Sequence, residues 1–548
     1  MMSPKYGRGA SRRAVILGFD SADPDLIARW IGDGTMPTFR RLLDTAAWGR
    51  IDNPSGMVAG SVWQSFHTGV WPGRHGQYEG TKHFDPATYE DGAYLQRADL
   101  PRETIWEMLS RNGRRVAVLD APFAFLADDL DGVQINEWGT HERRALSRGR
   151  PQFHTRPPEL RDEILSRYGS DPLGMHEVQC DAFKPRNPRE LIPFRNALIR
   201  RIEIKTRMTL DLLRREPWAY FESIFFAAHC IGHQCWHYHD PSHPRHDPAA
   251  ASAVGDPVRE VYVALDRALG QMLESVGTDA TLLVYCSHGM GPNYTATGGM
   301  LDRILLALEG IESPQRLERA IGMARDLWRR APEPLRKLLV PLRARDFEAG
   351  VQKRIQPAKA ERRYFEVQVD GASGGVRINL KGREAQGKVE PAEYDEVCRS
   401  LTRDLLDVVN ADTGKPLVAR VLRTAEVYPG PFVQRMPDLL LEWNRERPIV
   451  RVSSPKIATV THPRPSLRSG DHRPGGLFAA LGPGVQPGEL GRIVSVVDFA
   501  PTFAALLGVC DFDFDGTPIA ALLGGAMSDE DVAGASGPLP SILSDRAE

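Results

Sequence analysis

The chain has 548 residues, of which 42% are hydrophobic and 26% charged, and its formal net charge is −2. That is the balance of a globular protein, and it supplies no general attraction to nucleic acid or to an anionic membrane. An anionic ligand must therefore be held by a local site, and a chain this long reads as one large core with insertions or as several domains.

In chain order, Arg8, Arg12 and Arg13 precede an apolar run over 14–19, which Asp20 interrupts. Six residues are too few for a secretory core or a membrane span, no other stretch is long enough, and the cytoplasm is the expected location. The six cysteines are too sparse for a disulfide framework, and Cys230 and Cys235 lack the spacing of redox or structural zinc motifs. They read as reduced thiols.

Further short apolar runs lie at 116–119, 224–228, 281–286 and 477–481, each ending in a polar or glycine-rich turn. Helical patterns at 37–46, 257–276 and 498–507 fall between them. Strands alternating with helices predict an α/β fold with a mostly parallel central sheet flanked by helices. Core α/β segments are expected at 1–141, 216–309 and 363–525. The polar 142–215 stretch and the Arg-rich 310–362 stretch read as cap insertions, and 526–548 as a frayed tail. The second insertion is either a solvated helical cap or a basic amphipathic surface.

Ligands of open parallel sheets sit at the carboxyl ends of the strands. Asp20, His229 and His288 each follow a predicted strand, so they are expected to converge at one rim. His229 and His233 stand at i, i+4 spacing, which on a helix places both imidazoles on one face, where they can share a metal. His237 and His239 read as hydrogen-bonding or packing residues. The glycines of Ser287-His288-Gly289-Met290-Gly291 permit a tight turn that exposes an imidazole, and Asp471-His472 precedes another strand.

Gly18-Phe19-Asp20-Ser21, Thr68-Gly69 with His75-Gly76, the His229/His233 pair, His288-Gly289 and Gly470-x-His472 occur in that order. So do Asn379-Leu380-Lys381-Gly382-Arg383, Pro437-Asp438 and Asp498-Phe499-Ala500-Pro501-Thr502. The set resembles the alkaline phosphatase superfamily, in its type I phosphodiesterase/nucleotide pyrophosphatase branch. The resemblance implies two zinc-like ions flanking a hydroxyl nucleophile, the first mapping to His229, His233 and His472 and the second to Asp20 and His288.

The chain departs from that pattern at three places. His229 and Ser287 stand where the family has carboxylates, and Ala59 stands at the usual nucleophile position. Ser61, two residues later, is the candidate nucleophile in a shifted register, or else a helix-capping serine. Losing two carboxylates leaves a second dication without charge compensation, whereas three imidazoles match zinc sites that keep a position open for water. The expectation is one well-held divalent ion, most naturally zinc, with manganese or iron as alternatives. Asp20 and His288 then form a weak second site or handle protons.

Asn293, Lys381 and Arg383 are candidates for gripping an anionic substrate. The expected function is metal-dependent hydrolysis of a small phosphate or sulfate ester, phosphodiesterase-like. A single-metal group-transfer or biosynthetic enzyme and a non-catalytic binding protein remain alternatives.

Overall fold

The computed structural model describes residues 12–80, 82–140, 153–173, 187–296, 298–311, 359–462, 468–509 and 513–524. Its centre is a ten-stranded sheet. The strand Arg13–Phe19 lies in the middle, parallel to Tyr220–Phe225 on one side and to Ala280–Cys286 on the other. Beyond Tyr220–Phe225 come Val116–Leu119 and Gly132–Asn136, both parallel, and then antiparallel His154–Arg156 at the edge. Beyond Ala280–Cys286 come antiparallel Gly476–Leu481, then Ala47–Asp52, then two short strands. The expected mostly parallel, helix-flanked α/β sheet is therefore present.

Alternation along the central strand divides the core. Val15, Leu17 and Phe19 face one layer of helices, while Ala14 and Ile16 face the other. Both faces are covered, which is why the strand reads as an unbroken apolar run. Register sets the site. Phe19 pairs with Phe225 and with Cys286, so the chain leaves three neighbouring strands at one level. The antiparallel strand Gly476–Leu481 begins at that rim, with Leu477 opposite Cys286, so residues just before it arrive there too.

Within the 142–215 stretch, the described residues join this core. His154–Arg156 pairs into the sheet, and the helix Leu191–Arg215 buries Leu198, Ile202 and Met208 against it. The same helix buries two cations. Arg201 forks onto Asp171, and Lys205 bonds Asp120, which also accepts from Trp138 N and Gly139 N. Burial lowers the Lys205 pKa, and Asp120 beside it works against that shift.

Two smaller sheets complete the site. Gly289–Pro292 pairs antiparallel with Gly470–Arg473 as a two-stranded ribbon. A four-stranded sheet of Tyr364–Val367, Ser373–Ile378, Leu439–Trp443 and Val418–Arg423 carries its own core around Val376, Ile378 and Leu441. Nearly all of the Arg-rich stretch, the tail from 526, Cys180 and Cys510 lie outside the described residues.

Candidate metal centre

The helix Ala227–His239 starts two residues after its strand ends, and its sequence contains no acidic side chain. Its first ten residues are buried, so His229 and His233 project into protein rather than solvent. The ribbon brings His472 against them. Nε2 of His229 lies 2.7 Å from Nε2 of His472, and Nε2 of His233 lies 3.1 Å and 3.0 Å from those two atoms. All three residues are buried.

The proton inventory of this cluster fits a cation. His233 Nδ1 is 2.8 Å from the Gly470 carbonyl oxygen, which can only accept, so Nδ1 carries the proton and Nε2 presents its lone pair. Three ring nitrogens meeting at one point, at least one of them bare, cannot all satisfy one another by hydrogen bonds. One divalent ion at that point satisfies all three. The residues present fit a metal.

Beside the triad the chemistry differs. Asp20 Oδ1 accepts from the indole Nε1 of Trp63 at 2.7 Å and from the Ser287 hydroxyl at 3.1 Å. The Ser287 hydroxyl in turn accepts from Ser21 N at 3.3 Å, and Asn53 Nδ2 donates to the Ser287 carbonyl at 2.9 Å. Ser21 sits at φ 55°, an uncommon conformation for a non-glycine residue and one found at functional turns. His288 Nε2 is 3.8 Å from Asp20 Oδ1, and its ring meets that of His472 edge-on at 4.6 Å between centroids. Asp20, His229, His288 and His472 line one cavity.

Four other candidates are placed elsewhere. Ser61 is buried in the helix Val58–Thr68 and donates to the Met57 carbonyl at 2.8 Å, so its hydroxyl serves the helix; Ala59 and Gly60 reach the cavity instead. Asn293 closes the ribbon, with its N–H on Ser469 O and its side-chain oxygen accepting from Thr295. Lys381 is exposed and paired with Glu390. Arg383 grips Asp438 through two 2.7 Å bonds, an ion pair that ties the turn after Ser373–Ile378 to the start of Leu439–Trp443. The charge pattern around Arg383 is real, but its anion belongs to the protein.

The sequence reading passed over three contributors. Trp63 supplies a donor to Asp20. Asp370, in the Asp-Gly turn before Ser373–Ile378, lines the cavity, and its Oδ2 accepts from Ala59 N at 2.9 Å. Arg445 donates to both the His472 and the Ala372 carbonyls, clamping that turn to the strand of the third histidine. Burial pushes the Asp471 carboxyl up, against the pull of Arg445 and Arg468. The Asp-Gly pair was visible as a turn signal, but nothing local shows that the turn folds back over a residue 311 positions earlier.

A family model described as type I phosphodiesterase / nucleotide pyrophosphatase matches residues 14–465. No curated protein matches the sequence. Among solved structures, the chain is similar to phosphonoacetate hydrolase from Sinorhizobium meliloti 1021 in complex with phosphonoacetate. That likeness has 15% identity and a TM-score of 0.46, covering 89% of this chain and 94% of that one. It is also similar to an inactive murine ectonucleotide pyrophosphatase / phosphodiesterase 5 in complex with AMP. There the identity is 10% and the TM-score 0.45, covering 92% and 97% of the two chains.

Proposed function

The chain belongs to the type I phosphodiesterase / nucleotide pyrophosphatase family, and from that premise we propose a phosphate-ester hydrolase that depends on one metal ion. The observation that carries this reading is the meeting of the His229, His233 and His472 Nε2 atoms in a buried cluster. An all-imidazole donor set favours zinc, with manganese and iron as alternatives. A divalent ion held there supplies Lewis acidity toward a phosphoryl oxygen and acidifies water.

The chain's own groups do the remaining work. Ala59 has no hydroxyl and the Ser61 hydroxyl donates a hydrogen bond to Met57 O, so attack falls to water rather than to a side chain. His288, beside Asp20, is the group placed to accept or return a proton. Trp63 and Ser287 fix Asp20 by donating to the oxygen that faces His288. The same two donors argue against a second resident ion at Asp20. Its facing oxygen is already satisfied, and Ser287 brings no charge.

No helix among the described residues is long and apolar enough to cross a membrane. Buried free thiols at Cys230, Cys235, Cys286 and Cys398 agree with a reducing, cytoplasmic setting. A small anionic ester is the substrate class.

The test combines metal content per chain with turnover of bis(4-nitrophenyl) phosphate, in wild type and in His233→Ala. One bound ion with turnover, both lost in the variant, is the expected result. A metal-free protein after reconstitution, or turnover that survives the substitution, sinks the reading. The departures at Ala59 and Ser287 favour a second reading, a single-metal enzyme of other chemistry. Bound metal without diester turnover is its signature.

A further inference from the structure

We propose that Asp370 sets the charge selectivity of the cavity. It takes the backbone N–H that a phosphoryl oxygen would use, so that the site accepts reacting centres with at most one negative charge and holds off dianions.

The amino end of an eleven-residue helix, Val58–Thr68, opens into the cavity at Ala59 and Gly60. Free N–H groups at such an end, next to a metal centre, are the natural grip for a phosphate oxygen. Here Ala59 N donates to Asp370 Oδ2 at 2.9 Å, the distance at which an amide holds an anion. The chain's own carboxylate stands in the anion's place.

That carboxylate is fixed. Asp370 Oδ1 accepts from Ala372 N at 2.8 Å and Ser373 N at 2.7 Å. Arg445 clamps the same turn by donating to Ala372 O and to His472 O. The helix end is closely packed as well, since a Cβ on Gly60 would sit 2.3 Å from Tyr78 O. An incoming dianion therefore meets a fixed like charge at the amide it would otherwise bind. A monoanionic diester meets half the repulsion and keeps its attraction to the metal.

This inference rests on the hydrolase reading for the identity of the cavity, but its test needs no turnover. Inorganic phosphate is titrated calorimetrically into the full-length, zinc-loaded protein, with metal content measured on the same samples. Asp370→Asn keeps an acceptor for Ala372 and Ser373 but turns an amide donor toward Ala59, freeing that N–H. Asp370→Ser keeps a turn acceptor and is too short to reach Ala59. Both variants are expected to bind phosphate at least about tenfold more tightly than wild type, since juxtaposed like charges in a site oppose binding strongly. Their melting temperatures report folding. Unchanged affinity in a folded variant overturns the proposal. So does micromolar phosphate binding by the wild-type protein, which needs no variant to interpret. Tighter phosphate binding without diester turnover leaves the charge filter standing and removes the hydrolase instead.

Discussion

The cavity is built in two ways on either side of His472. On one side His229, His233 and His472 point three nitrogens at one another, an arrangement that one cation would satisfy. On the other side Asp20 points an oxygen at the same cavity and is already served by an indole and a hydroxyl. The contrast teaches how a metal pocket is told from a polar pocket of equal burial. What matters is how the ring nitrogens and carboxylate oxygens meet one another, and residue type alone does not answer that.

The sharpest way to break the contrast is His233→Ala. It should lower metal affinity by more than the ~10–100-fold typical of changes around a ligand, because it removes a ligand itself. Isothermal titration with zinc in a competing chelator reads this, and a loss below about tenfold would refute the triad. Next is Ser287→Asp, which restores a carboxylate beside Asp20 and His288. Mass spectrometry should then count a second ion per chain. A count that stays at one would mean that charge at position 287 does not govern binding of a second ion.

A third test separates both sides from their scaffold. His75 is buried, with Nδ1 accepting from Gln77 N at 3.1 Å and Nε2 3.0 Å from Ser65 Oγ. Burial, with His83 nearby, holds its pKa down at about 3. A depressed folded value means that the unfolded chain takes up the proton first. Stability from His75 is therefore complete above about pH 6.5 and is lost progressively as the pH falls toward 3. The melting temperature of the chelator-treated protein should fall across that window, and His75→Asn should flatten the slope. An unaltered slope would assign acid sensitivity to other groups. The smallest effect is expected from Ser61→Ala. Losing one buried hydrogen bond costs about 1 kcal/mol, and turnover should change by less than about twofold. A large fall in turnover with the melting point preserved would return Ser61 to the mechanism.

The triad was legible in the sequence because i, i+4 spacing and the step after a strand are local signals, and His472 stood at a turn before another strand. The rim positions of Asp20 and His288 were legible for the same reason. Ser61, Asn293, Lys381 and Arg383 illustrate the opposite case. Their chemistry suits a site, but each is spent on a neighbour that only the tertiary fold supplies: Met57 O, Thr295, Glu390 and Asp438. Residues 191–215 look polar, yet Arg201 and Lys205 are inside because Asp171 and Asp120 meet them there. Asp370 was invisible because its meaning depends on a contact 311 positions away in the chain.

The two-stranded ribbon has a consequence for how this protein can change. Gly289–Pro292 and Gly470–Arg473 close on each other across some 180 residues, and Asn293 fastens to Ser469 at their open end. The four-stranded sheet that carries Asp370 lies between the two halves of that clasp in the chain, and it also packs on the core where Leu440 and Met436 meet Met57 and Tyr78. A change in that sheet therefore reaches the His472 strand through Arg445 and the Ala59 helix end through Asp370, so the two sides of the cavity vary together.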